Sequence, residues 1–261
     1  MTIFAHEWRM GRLSLAIWTA CITALLAVCV FLFPEMKGQM ESVGDVFASM
    51  GSFTEAFGMD RLNFGTLTGF YAIECGNVVG LGGAFFAALS GVGMLAKEEK
   101  NRTAEFLLTH PVSRRRVLTE KLAALLAQIL ALNLIVWLAA IGSMALIGET
   151  IPLCEVSLMH MAYLLLQLEL AGICFGLSAF LKGAGAGIGM GLAVCLYFLN
   201  LIANMTDSVR FLKYITPFGY CEGADIVESG SLDWRMVLPG VALMAIGVAA
   251  AYGKYEKKDI R

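Results

Sequence analysis

LSLAIWTACITALLAVCVFLF, Leu13 to Phe33, runs for 21 residues without a charge. As a helix it rises roughly 30 Å, the thickness of a bilayer's hydrocarbon core. Arg9 and Arg12 precede it, as basic residues precede a secretory signal. A signal's apolar region runs only about 7 to 15 residues and ends at a small-residue cleavage site. This stretch is longer and ends Phe31-Leu32-Phe33-Pro34, so it reads as a permanent span. Five further segments reach comparable length: Thr66 to Leu95, Leu122 to Ile147, Leu158 to Leu181, Ala184 to Ala203 and Met236 to Gly253. The expected fold is an all-α integral membrane protein, one transmembrane domain of six spans over residues 1–261.

Composition demands the same solvent. Hydrophobic residues make up 58% of the chain and charged residues 15%, against roughly 45 to 50% and about 25% in soluble domains. Too little polar material remains to cover a soluble surface. A net charge of -2 provides no global basic field, so nucleic acid is not an expected partner. The seven cysteines contain no C-x-x-C pair, and neither a zinc nor a redox site is expected. Cys154 and Cys221 alone fall in expected outer loops, which leaves one disulfide open between them. His6-Glu7 lacks the second histidine of H-E-x-x-H, since position 10 is Met10.

Orientation follows from Lys and Arg near the span ends. Seven lie between Lys97 and Lys121 and none between Gly148 and Ser157. Both termini are therefore expected in the cytoplasm of a bacterial cell whose plasma membrane the chain crosses. Thr2 to Arg12 place Ile3, Phe4 and Trp8 near one helical face and Glu7, Arg9 and Arg12 elsewhere, the pattern of an amphipathic elbow at the headgroups. Phe47, Met50, Phe53 and Phe57 suggest an amphipathic helix on the outer side.

The connection KEEKNRTAEFLLTHPVSRRRVLTEK, Lys97 to Lys121, is far longer than a hairpin needs. Charges surround Phe106, Leu107 and Leu108, Pro111 stops the helix, and Ser113 can cap the next one. Arg114, Arg115, Arg116 and Lys121 then fix that helix at the headgroups. On the residues alone this is either a rod that docks in a partner's groove or a basic loop that only sets topology. The stretch resembles the cytoplasmic segment of the ABC-2 type exporter permeases, approximately E-x-x-x-G-T-x-E-x-L-L-x-x-P-V-S-R and a later lysine. The matching positions are Glu98, Thr103, Glu105, Leu107, Leu108, Pro111, Val112, Ser113, Arg114 and Lys121; Arg102 stands where the family has glycine. The resemblance implies that residues 97–116 form a coupling helix between the second and third spans, with Glu98, Thr103, Glu105, Phe106, Leu107, Leu108, Pro111 and Arg114 receiving motion from a separate ABC ATP-binding subunit. ATP and Mg would be bound there, with no cofactor held directly by this chain. The chain's one Gly-Lys, Gly253-Lys254, is followed by Tyr255 and is no phosphate loop. No catalytic residue and no enzyme activity are expected.

Six spans make a thin wall, so a second permease subunit, identical or related, is expected within the lipid bilayer. Small residues at intervals of four suggest where helices approach: Gly76 and Gly80 in the second span, and Gly183, Gly187 and Gly191 in and beside the fifth. The same spacing equally serves packing within one chain. By resemblance, the second and fifth helices lie near the dimer axis and the path. Glu74 and Glu169 fall inside spans and are candidate substrate or proton sites. The resulting expectation is an exporter permease moving substrate outward from the cytoplasm or inner leaflet. An ion-coupled secondary transporter using those glutamates and a non-transporting scaffold are the alternatives.

Overall fold

The computed structural model describes residues 2–38, 51–59, 61–100, 112–181, 183 and 185–257. Among these, six helices are long and apolar enough to cross a membrane, in the order expected. Helix α1 (Thr2–Lys37) is unbroken, so the residues expected to form an elbow are the first turns of the same 36-residue helix. A short α2 (Ser52–Ala56) lies at the distal end, opposite the basal end where the first span starts and the last one finishes. The second span, Leu67–Lys97, is built from α3 (Leu67–Phe70), a π turn at Tyr71–Cys75 and α4 (Gly76–Lys100).

Helix α5 (Arg114–Ile147) starts where Ser113 accepts a hydrogen bond from the Arg116 amide at 3.4 Å, the cap expected there. It ends at Gly148, whose φ of 74° turns the chain tightly into α6 (Leu153–Ser178). Helix α7 (Ala186–Met205) follows, then two 3-10 turns (Asp207–Tyr214 and Gly219–Cys221), α8 (Gly223–Ser229) and the last span α9 (Trp234–Lys257). The fourth span thus begins five residues before the sequence estimate, because Pro152 ends the preceding turn.

Helices α4 and α6 form the enclosed centre. Helix α1 packs on α5, α9 on α6, and α7 on the far flank of α4. Backbones meet where side chains vanish: a Cβ at Gly176 would lie 2.7 Å from the Gly247 Cα, and one at Gly189 would lie 2.9 Å from the Ala88 carbonyl oxygen. Such approaches give dispersion contact that bulkier residues would block. Two buried hydrogen bonds cross the centre. Asn133 donates to Gln167 at 2.8 Å, and the Tyr71 hydroxyl meets His160 Nε2 at 2.7 Å. Outward faces carry Leu25, Phe31, Leu134, Leu138 and Ile246, all exposed, as a lipid-facing wall should be.

All seven cysteines are free, so the disulfide left open between Cys154 and Cys221 is not made. Cys221 is buried under the distal cap with its thiol on the Ala162 carbonyl oxygen, while Cys154 is exposed at the start of α6.

Candidate functional site

Between α4, α6 and α7 lies a cavity of 60 Å³, room for on the order of four waters. Its wall includes Asn77, Tyr163, Tyr197, Asn200, Asn204 and Glu222. Each helix contributes for a local reason. The π turn before Gly76 brings Asn77 inward, where its amide donates to the Ile73 carbonyl at 2.8 Å and its oxygen accepts from the Tyr197 hydroxyl at 3.2 Å. Gly76 and Gly80 then leave space for the Tyr163 ring of α6. Asn200 and Asn204, one turn apart on α7, present amide oxygens with no hydrogen-bond partner among the described residues. Buried acceptors without partners are costly in a bilayer. The cavity therefore favours water or a ligand rich in hydrogen-bond donors.

A cap closes the distal side. Asn204 donates to the Ala56 carbonyl at 3.0 Å, tying α7 to α2. Lys213 donates to Glu222 at 2.6 Å and lies 3.6 Å from Asp225. Arg61 pairs with Asp225 at 2.7 Å and with Glu228. Outside this lock a second cavity of 370 Å³ opens, sharing Asn204 and Glu222 with the first and lined also by Arg61, Arg210 and Lys213. Burial pushes the Glu222 carboxyl above the usual carboxylate range, and Lys213 only partly offsets this. The hydrogen bonds from Arg61 hold Glu228 below that range.

At the basal end, Glu7 overturns its expected place among the solvated residues of an elbow. It is 3% exposed, and Lys121, expected at the headgroups, is fully buried. The two meet at 2.5 Å, while the second Glu7 oxygen accepts from Lys97. Lys121 also reaches the Met94 carbonyl at 3.3 Å, and Gln128 donates to the Glu7 carbonyl at 3.3 Å. A polar wheel position becomes interior here because α1, α4 and α5 converge. Beside it, Glu120 accepts from the Ile3 and Phe4 amides at 3.1 Å, filling donors that a helix start leaves open.

Of the residues expected to couple to an ATPase, Thr103, Glu105, Phe106, Leu107, Leu108 and Pro111 lie outside the described residues, as does the side chain of Glu98. Arg114 is described. Its guanidinium donates to the Tyr255 and Glu256 carbonyls at 3.1 Å, clamping the start of α5 to the end of α9.

The glycines divide. Gly76 and Gly80 face Tyr163 and pack within the subunit. Gly183 has a φ of 121° and lies in the link before α7, where it makes the turn. Gly187 and Gly191 are exposed, with open space where a Cβ would stand. Glu169 faces the bundle, 1% exposed, in the notch left by Gly240 and close to Tyr220. Neither of its oxygens has a hydrogen-bond partner among the described residues. Glu74 is half-buried in the π turn, on the side of Cys29 in α1.

The cavity asparagines were overlooked in sequence, although an amide pair spaced four apart in an apolar span is a readable signal. Glu7 was readable only as a lone acid among basic residues. Among the described residues, no cluster of three or more His, Cys, Asp or Glu could hold a metal ion.

No curated protein matches the chain. The model of one family, described as ABC-2 family transporter protein, matches residues 1–260. With six spans in the expected order and a match that covers nearly its whole length, the chain belongs to the ABC-2 family of membrane transporters.

Proposed function

We propose that the chain is the permease subunit of an ATP-driven exporter, working with a second permease copy or relative and with a separate ATP-binding subunit. The basal end faces the cytoplasm, in keeping with its seven basic residues between Lys97 and Lys121. The first turns of α1 serve as the elbow, and residues 97–116 as the coupling helix that takes up motion from the ATPase. Substrate enters from the cytoplasm or inner leaflet and leaves past the distal cap.

The observation that carries this reading is the polar cavity between α4, α6 and α7, which stops beneath a cap held by ion pairs. A scaffold has no use for buried, unpartnered amide oxygens beside such a latch. Polar groups at that depth are expensive and mark a route for polar cargo. Opening would part Lys213 from Glu222 and join the inner cavity to the outer one. The buried Glu169, close to Tyr220, favours a second reading, ion-coupled transport, in which Glu169→Gln abolishes activity in the absence of nucleotide.

The test is co-expression with a cognate ATP-binding subunit. The purified complex is expected to hydrolyse ATP and the chain alone to show none. Leu107→Asp or Phe106→Asp should abolish coupling, because an unpaired charge would enter the docking groove. Hydrolysis by the chain alone, or intact association and transport in Leu107→Asp, would overturn the assignment.

A further inference from the structure

The long basal connection follows the end of α4 at Lys100, about one turn past Lys97, and α5 begins at Arg114, about two turns before Lys121. Both roots of that connection therefore end on one carboxylate, that of Glu7. One oxygen takes Lys121 of α5 at 2.5 Å and the other takes Lys97 of α4. Lys121 closes the triangle by reaching the Met94 carbonyl of α4. Lys121 is fully buried and Glu7 almost so, while the Lys97 side chain reaches the surface and is 35% exposed. An exposed ion pair would exchange its partners with water, but a buried one holds its geometry, because separation strands charge in a medium of low dielectric.

We propose that Glu7 is a positioning residue of the transport cycle, the joint through which displacement of the cytoplasmic connection is delivered to α1 as well as to α4 and α5. The proposal rests on the exporter reading for the origin of the displacement. Glu7 touches neither cargo nor nucleotide; it sets how many helices move together. Without it the connection still pulls on α4 and α5, to which it is covalently joined, while α1 has lost its link to both lysines. The neighbouring Glu120 bonds at the Ile3 and Phe4 amides, themselves part-buried, retain the start of α1 on α5.

The experiment uses the complex with the ATP-binding subunit in lipid vesicles, with spin labels introduced as non-natural amino acids at Met10 and Ile246. Both positions are exposed and lie outside the joint. In the wild-type complex, a non-hydrolysable ATP analogue is expected to change the Met10 to Ile246 distance. Glu7→Gln should assemble with the ATPase and lose that change. Lys97→Met, which keeps the Glu7 to Lys121 pair and so folds even if Glu7→Gln does not, should reduce it. Glu7→Asp, which keeps a carboxylate between the two ammonium groups, should retain it in part. A wild-type distance change preserved in full in Lys97→Met and in any Glu7→Gln that assembles overturns the joint and leaves the exporter reading standing. A wild-type complex whose labels and hydrolysis both ignore nucleotide overturns the exporter reading itself.

Discussion

Charged side chains tie both ends of the bundle, and the two ties are built differently. At the basal end one carboxylate is shared by two lysines from two other helices, with Glu7 and Lys121 both hidden. At the distal end Lys213, Glu222, Asp225, Arg61 and Glu228 form a chain of pairs that runs from the interior to the surface, where the side chain of Glu228 is half exposed. A buried pair such as Glu7 and Lys121 resists separation, since parting charges in a dry surrounding is costly. A graded chain can open from its wet end, one pair at a time. The contrast assigns rigidity to the end that would receive force and release to the end where cargo would leave.

The largest effect should come from Glu7→Ala, which leaves Lys121 buried without the Glu7 carboxylate. A loss of about 3 to 5 kcal/mol is expected, read as a lowered unfolding midpoint in detergent. A loss no greater than that of Arg61→Gln would erase the distinction between the two ends. Next comes Gly247→Leu, which drives a side chain into the α6 backbone at Gly172 and should cost about 1 to 3 kcal/mol or more. Gly187→Leu meets open space and should leave the single chain's midpoint unchanged while lowering recovery of the two-permease assembly. Unaltered assembly would remove the exposed α7 face as an interface. Arg61→Gln should cost less than about 1 kcal/mol, as surface pairs do, and show itself as faster hydrogen exchange confined to α8 and the preceding turns.

The smallest and most selective effect concerns pH. Because burial raises the Glu222 value, its share of folding stability is fully present below the ordinary carboxylate range and is lost as pH rises through the raised value. The pair with Lys213 runs the other way, existing only while Glu222 is ionised. That pair only partly offsets burial, so opening that exposes Glu222 to water follows the same linkage: mild acidification should tighten the cap and a rise in pH should loosen it. Protection of the cap amides should fall as pH rises through a value above that of exposed carboxylates, and Glu222→Gln should remove that dependence. A dependence that persists in Glu222→Gln would locate the latch elsewhere.

The spans were legible because lipid selects length and apolarity, both of which are local properties of sequence. The Ser113 cap was legible for the same reason. The latch was not, because Arg61 and Glu228 stand 167 residues apart and only folding brings them together. Glu7 was misplaced because a helical wheel sees one helix, whereas the surroundings of Glu7 come from three. Spacing found glycines but not their partners. Gly76 and Gly80 have the same interval as Gly172 and Gly176, yet the first pair makes room for a tyrosine and the second lies against α9.

The π turn at Tyr71–Cys75 has a geometric consequence for the whole distal half. Each residue of an ordinary helix advances the chain by roughly 100°, and a π turn inserts one residue into that count. The stretch before it, from Asn63 to Phe70, is thereby out of phase with Asn77 and everything after it. Removing a single residue from this turn would restore regular winding and swing the segment carrying Arg61 by about a quarter of a circle, away from Asp225 and Glu228. The alignment of the cap over the cavity is thus encoded in a number of residues, and a deletion can destroy it while every interacting side chain is retained.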